Sequence, residues 1–478
     1  MWPDRTKCRA APELPCPASA MVTAAPSSST CVPRPPTRLR KDLHACTGDG
    51  LTYSVMFGTG ETFFAAFALA LGFSDVVSGL VVALPPLAGA ILQLGSPWAV
   101  RKVQSPQRWI ILCATVQALS FVPLIVGAVL GELPVGILFF VACLYWTVNL
   151  GAAAPWNTWV GLIFPERIRA RYFSWRNRWC QASIFAGLMG AGAILTPLEK
   201  HGHALWAFAI IFTVAALARA SSIYYLKRQA DPPNFPTATQ PIKLHHVATK
   251  FGRRPDATLI AFLIVMQLGV QVGQPYLNPF MLSELALGPS WYLALIATGF
   301  AAKAATFPLW GWCADKLGAR RVLVASAVGV ALLALPWLFI RDPWLLLATQ
   351  VFAGAVWGAY ELCTFLLLLE TIPAERRTAA MSGFYLLNAI AMVAGGLLGA
   401  YFLSRENSAN GYATVFTLST ALRMSALLII PFIHAEVLHP FRIILAPFGG
   451  RMGVGGVMAP VLSAMSEDPV NEKAPPST

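Results

Sequence analysis

Apolar stretches of about 20 residues recur along this chain between short polar connections, the length a helix needs to cross about 30 Å of hydrocarbon. Twelve such spans are predicted: Leu51 to Leu71, Val76 to Leu94, Trp109 to Leu130, Val135 to Phe164, Tyr172 to Leu195, Leu205 to Leu226, Ala257 to Leu282, Trp291 to Trp310, Val322 to Ile340, Trp344 to Leu369, Met381 to Leu403 and Tyr412 to Ile433. The longest internal polar connection, Lys227 to Asp256, divides them six and six. The expected architecture is an all-α integral membrane protein with two six-helix bundles, residues 51–226 and 257–438. A central loop at 227–256 joins them, and tails at 1–50 and 439–478 flank them.

Composition agrees with this pattern. Only 12% of the 478 residues are charged, 56% are apolar and the mean hydropathy is +0.60, whereas a soluble domain carries about 25% charged residues. A soluble enzyme and a DNA-binding protein are both disfavoured. The net charge of +13 arises from 35 Lys and Arg, and their placement gives it a topological meaning. Twenty-seven lie in the two tails and in connections 2/3, 4/5, 6/7, 8/9 and 10/11, all on one side; the other side carries three, Lys200, Arg341 and Arg405. The positive-inside rule makes the richer side, and hence both termini, cytoplasmic in a cell membrane. The positive charge then serves anionic lipid rather than nucleic acid. Tryptophans Trp98, Trp109, Trp206, Trp291, Trp310, Trp312, Trp337 and Trp344 sit near span ends, where indoles favour the headgroup level.

Residues 1–50 are rich in Pro, Ser, Thr and Ala and read as a disordered cytoplasmic tail, with Met21 and Met56 as alternative starts. Cys8, Cys16, Cys31 and Cys46 form no Cys-x-x-Cys pair and have no accompanying His pattern, so no metal site is expected. Cys113, Cys143, Cys180, Cys313 and Cys363 read as small packing residues. The glycine-rich GRMGVGG segment of the C-tail lacks a preceding strand and is no dinucleotide loop. No cofactor is expected.

The two halves share a repeat. Connection 4/5 reads FPERIRARYFS from Phe164 and connection 10/11 reads IPAERRTAAMS from Ile372, aligning Pro165 with Pro373, Arg169 with Arg377 and Ser174 with Ser382 at an offset of 208. Connection 8/9 reads GWCADKLGARR from Gly311 to Arg321. This string resembles the signature of the major facilitator superfamily, a family of secondary transporters, and the resemblance covers roughly residues 51 to 438. It implies that Gly311, Asp315, Gly318, Arg320 and Arg321 form a conformational latch, with Asp315 facing the start of span 5 and its Arg171 and Arg176. The corresponding first-half string, GSPWAVRKV from Gly95, has Ala99 where the acid belongs, so only a weak latch is expected there. The resemblance also implies that spans 1, 4, 7 and 10 line a central cavity.

Ionisable and amide side chains within the spans are candidates for that cavity. Gln267, Gln271, Gln274 and Asn278 recur at spacings of four, three and four, on one face of span 7. Bonds to a neighbouring helix would satisfy them, but a wet cavity suits four amides better. Span 4 offers Tyr145, Trp146 and Asn149, and span 10 places Trp357, Glu361 and Thr364 on one face with Tyr360 beside it. Substrate contacts are therefore expected from Asn149, Trp146, Gln271, Gln274, Asn278, Trp357 and Tyr360. Glu61, read as lying near the middle of span 1, and Glu361 are expected to couple a proton, with Lys303 as a cationic partner. Of the remaining cations within spans, Arg423 reads as structural, Arg219 as snorkelling to the cytoplasmic face, and Arg176 and Arg178 as serving the latch or lipid headgroups.

The function expected is symport or antiport of a small polar, sugar-like solute by alternating access of a functional monomer, with a coupling proton. No nucleotide loop supplies ATP chemistry, and no catalytic motif marks an enzyme. Proton-coupled export of amphipathic drugs is the alternative transport reading, and a non-transporting receptor or scaffold the alternative class.

Overall fold

A computed structural model describes residues 36–232, 255–285, 287, 289–405 and 408–432. The expectations for the first 35 residues, for the middle of the central loop and for the C-tail lie outside the described residues.

All twelve spans are helical. Span 1 is Pro36–Thr59, a 3-10 turn at Glu61–Phe63, and Phe64–Ala70. Span 2 is Asp75–Leu92 followed by Ser96–Val103, and span 3 is Pro106–Leu119 with Phe121–Leu130. Spans 4, 5 and 6 are Val135–Ile163, Glu166–Lys200 and Ala204–Arg228. In the second half span 7 is Pro255–Pro279 and runs into a π-helical turn at Phe280–Glu284. Span 8 is Pro289–Leu317, and span 9 is Ala319–Leu332 with Pro336–Phe339. Spans 10, 11 and 12 are Pro343–Thr371, Ala374–Arg405 and Ser408–Leu427. No strand occurs among the described residues. Nine of these spans are long and apolar enough, among the described residues, to cross a membrane. The protein is an integral, multi-pass membrane protein.

Helices outrun the apolar stretches that predicted them. Span 5 starts at Glu166 and span 11 at Ala374, because charged first turns can remain helical beyond the hydrocarbon. The largest difference is at span 1. Residues 36–50, expected within the disordered tail, are helical and bury Leu39, Asp42, Leu43, Cys46 and Asp49. Their acids have partners that make the burial affordable: Asp42 accepts from the Ala230 N–H at 2.9 Å, and Asp49 accepts from the Ser222 hydroxyl at 2.7 Å. A chain starting at Met56 would lack all five residues.

Each half has its own core. Phe64, Phe67, Phe121, Tyr145, Phe208 and Phe212 pack in the first, and Val272, Phe280, Leu295, Trp337, Leu346 and Phe416 in the second. A third cluster draws on both halves, uniting Trp159, Phe164, Tyr172 and Phe173 with Phe307, Leu362 and Leu366. The exterior keeps large apolar side chains exposed, among them Phe140, Leu217, Trp344 and Leu397, as a surface facing lipid should.

The sequence repeat has a physical counterpart. Arg169 donates through Nε to Phe164 O at 2.9 Å and through Nη2 to Gly161 O. Arg377, 208 residues on, donates through Nε to Ile372 O at 3.2 Å and through Nη2 to Leu369 O at 2.7 Å. Each guanidinium thus satisfies the last carbonyls of the preceding helix, which have no partner within that helix, and fixes the turn into the next one.

Candidate functional site

The two halves are joined by side chains at the end of the molecule that bears the basic connections. Among the described residues, four hydrogen bonds cross between them. Asn157 donates to the Tyr385 hydroxyl at 2.9 Å, the Thr158 and Thr378 hydroxyls lie 2.8 Å apart, Gln93 donates to Ser382 O at 2.8 Å, and Arg171 reaches Asp315 at 2.9 Å. Beneath these contacts Phe365 packs against Phe173 and Trp156, with ring centroids 4.8 and 6.3 Å away. Phe365 belongs to span 10, Trp156 to span 4 and Phe173 to span 5, so this aromatic layer closes the space between the halves at its basic end.

The polar residues of interest lie beyond this floor. Glu361 is one helical turn from Phe365 towards the opposite face, and Trp357 is two. On span 10, Trp357 and Tyr360 meet edge to face with centroids 5.7 Å apart. On span 8, Lys303 donates to Glu361 Oε1 at 2.6 Å. The pair is possible because span 10 presents Gly354 and Gly358 to span 8: a Cβ on Gly354 would overlap the Gly299 carbonyl, and one on Gly358 would sit 3.5 Å from Lys303 Cγ. Span 7 packs Gly269 and Gly273 against Arg423 and Ser419 of span 12, and the Gln271 Cβ side against Gly395 of span 11. That leaves Gln267, Gln274 and Asn278 on the remaining face. Gln274 and Asn278 are not buried and have no hydrogen-bond partner among the described residues, so interhelical bonding does not account for them.

On the first-half side, Asn149 accepts from the Tyr53 hydroxyl at 2.9 Å, and Trp146 lies against Gly89 of span 2. Glu61 accepts from Tyr145 at 2.8 Å. Because span 1 begins at Pro36, Glu61 is not near the helix middle but at the 3-10 turn that breaks it, towards the opposite face. It is partnered by a phenol next to the Phe64 and Phe121 rings, not by Lys303 or Arg423.

The latch residues behave unequally. Asp315 pairs with Arg171, while Arg176 turns away to the Cys46 carbonyl at 3.0 Å and stacks over Trp156 at 5.1 Å. Gly311 is a contact residue, since a Cβ there would overlap Ser174 Oγ. Gly318 holds φ +88° where span 8 turns into span 9, a conformation that favours glycine. Arg320 and Arg321 begin span 9 and form no ion pair among the described residues. In the first half a Cβ on Gly95 would meet nothing within 4 Å, and Gln93 supplies a neutral bond instead.

Two expectations for cations are corrected. Arg219 does not snorkel. It is buried, donates to Ser222 Oγ at 2.8 Å, lies 4.0 Å from Asp49 and covers the Tyr53 ring at 5.1 Å. Arg176 serves span 1 rather than the latch or headgroups. Arg423 is structural, donating to Val330 O at 3.0 Å and Val270 O at 3.4 Å, and Arg178 lies over Trp179 at 5.8 Å. Asp49, Tyr53, Asn157 and Tyr385 were not anticipated as site residues. Asp42, Cys46, Asp49 and Tyr53 recur at helical spacing, a signal that the surrounding charges obscured.

Residues 259–435 match the model of the Major Facilitator Superfamily. A gallate transporter from Pseudomonas putida is 27% identical over 150 residues, which is 30% of this chain and 32% of that protein. The chain thus spans about a third of the length of this curated relative. Among solved structures, the human organic anion transporter MFSD10 superposes with a TM-score of 0.64 at 14% identity, covering 83% of this chain and 100% of that one. The fucose:proton symporter of E. coli superposes with a TM-score of 0.66 at 11% identity, covering 83% and 99%. With the repeated Arg turns, the Gly311 to Arg321 string and twelve spans in two halves, the chain is similar to the major facilitator superfamily, by the family model over residues 259–435 and by fold over most of its length, without assignment to a subfamily.

Proposed function

We propose that this protein is a secondary transporter that carries a small polar solute across a cell membrane by alternating access, with both termini in the cytoplasm. The observation that carries this reading is the asymmetric closure. The halves are tied by hydrogen bonds and an aromatic floor at the basic end, and polar side chains stand beyond that floor. With the basic end cytoplasmic, this arrangement is an outward-facing state. Exchange to the inward-facing state requires the Asn157–Tyr385, Thr158–Thr378, Gln93–Ser382 and Arg171–Asp315 contacts to part together.

Asn149, Trp146, Gln271, Gln274, Asn278, Trp357 and Tyr360 are the proposed solute contacts, amides for hydroxyl or carbonyl groups and rings for an apolar face. Glu61, and Glu361 with Lys303, are the proposed proton-coupling groups. The names of the similar proteins, a gallate transporter and a fucose:proton symporter, fit a solute of this size and a proton as the coupling ion. The span 7 amides favour it over an amphipathic drug.

The test uses proteoliposomes under an imposed pH difference, with a solute identified by thermal stabilisation of the purified protein. Glu61→Gln and Glu361→Gln remove titration with little change of shape. The variant of the coupling group is expected to exchange solute but not concentrate it. Concentration by both variants at the normal level overturns proton coupling by a single one of these groups, and a chain that neither exchanges nor concentrates any stabilising solute overturns transport itself.

A further inference from the structure

Five cations lie inside the predicted spans, and the structure sorts them by what remains of their hydrogen-bonding capacity. Arg219 is enclosed by Ser222, Asp49 and the Tyr53 ring. Arg176 is held by the Cys46 carbonyl and Trp156, and Arg423 by two backbone carbonyls. Arg178 lies over the exposed Trp179 ring. Lys303 differs. Its side chain is 15% exposed, and its single partner among the described residues, Glu361, is 44% exposed. An ammonium has three donors, and here one is used, at 2.6 Å to Glu361 Oε1.

We infer that Lys303 is an anchor for a carboxylate on the transported solute, and that Glu361 is its resident counterion, displaced or shared when the solute arrives. This inference rests on the transport reading above and narrows its solute class to organic carboxylates. Three features support it. A cation in a water-poor cavity needs a counter-charge, and a partner as exposed as Glu361 supplies one without sealing the site. Spans 8 and 10 approach closely there, because span 10 presents bare backbone at Gly354 and Gly358 where Lys303 crosses it, which sets the ammonium against span 10 beside Glu361. Its surroundings suit the rest of such a solute: Trp357 lies one turn from Glu361 on span 10, with Tyr360 edge-on to it, and the unpartnered amides of Gln274 and Asn278 are on span 7. A ring carrying a carboxylate and hydroxyl groups would use all three kinds of contact, whereas a neutral sugar would leave the ammonium paired with Glu361 as it stands.

Binding of benzoate, 3,4-dihydroxybenzoate, benzamide and glucose to the full-length protein in lipid nanodiscs tests this, with wild type, Lys303→Gln, Lys303→Arg, Glu361→Gln and the double variant Lys303→Gln/Glu361→Gln. At least one of the two carboxylates is expected to bind wild type more tightly than benzamide. That preference should fall at least about tenfold in Lys303→Gln, the loss expected for one charge-assisted hydrogen bond, and be largely kept in Lys303→Arg. Glu361→Gln should bind the carboxylate more tightly than wild type, because the competitor is neutral. The double variant leaves no unpaired charge, so it keeps the test decisive should Lys303→Gln fail to fold, and it should show no carboxylate preference. Carboxylates that bind no better than benzamide, a preference that survives in the double variant, or weaker carboxylate binding in Glu361→Gln would each overturn the inference. Selective binding and uptake of glucose would overturn it while leaving transport standing. Failure of every uptake assay with normal carboxylate binding would instead overturn the transport reading and leave Lys303 as an anion site.

Discussion

The two halves of this protein handle buried charge in opposite ways. In the first half Asp49 and Arg219 are both almost wholly enclosed, with side chains 7% and 5% exposed, and Ser222 bridges them. In the second half Lys303 and Glu361 meet at shorter range, yet the carboxylate is 44% exposed. A longer, sealed pair braces a helix bundle, while a shorter, open one leaves part of its charge for something else to use. Distance alone would have ranked them the other way. The burial of the partner, not the strength of the contact, separates a brace from a site.

That contrast can be broken most forcefully at Asp49. Removing one member of an enclosed pair leaves a buried charge without compensation, so Asp49→Ala is expected to cost about 3–5 kcal/mol, whereas Glu361→Ala should cost less than that, because the carboxylate removed is already 44% exposed. Thermal unfolding of the two purified variants in one lipid or detergent gives the comparison directly, and equal losses would erase the distinction between brace and site. The doubly apolar Asp49→Leu/Arg219→Met should recover much of the lost stability.

The connections between the halves offer a second contrast. Gly311→Val drives a side chain into Ser174 and should shift the resting state away from closure at the basic end by about 1–3 kcal/mol, while Gly95→Ala, with open space around it, should change little. Spin-label distances across the basic connections report the shift. Gln93→Ala should loosen the first-half contact by about 1 kcal/mol. Smallest is Asp315→Asn. Its partner Arg171 is 43% exposed, so the change should cost about 0.2–1 kcal/mol and fade as salt rises. The Gln93 effect should not depend on salt. Solute affinity should be nearly unchanged in both, because neither side chain lies beyond the aromatic floor.

Hydropathy was enough to place the membrane helices, because crossing hydrocarbon demands an apolar length wherever it occurs. It misjudged where helices end. Residues 36–50 looked like tail since Arg38, Arg40, Lys41, Asp42 and Asp49 raise polarity, but helix–helix contacts can satisfy particular acids, and no average over a window reveals which. On span 7 the spacing put four amides on one face, whereas the structure packs Gln271 against Gly395 of span 11 and leaves Gln274 and Asn278 exposed. Glu361 and Lys303 could each be singled out as charges in lipid, and their pairing was anticipated as one option. That Glu61 would meet Tyr145 rather than a cation was not legible, because the break after Thr59 rotates the chain and no proline announces it. The repeat at offset 208 exposed the symmetry between the halves, and Ala99 marked where it breaks: Asp315 pairs with Arg171 in one connection, and Gln93 bonds to Ser382 O in the other.

The matched arginine turns bear on how the molecule is made. Arg169 and Arg377 bind carbonyls only five and eight residues behind them, and closing so short a segment takes on the order of 10–100 ns. Synthesis proceeds at about 5–20 residues per second, so the second turn emerges roughly 10–40 s after the first. The first hairpin therefore has ample time to close before the second is synthesised. The second half consequently meets a first half whose turn is already formed, and a lesion at Arg169 should delay maturation at an earlier stage of synthesis than the same lesion at Arg377.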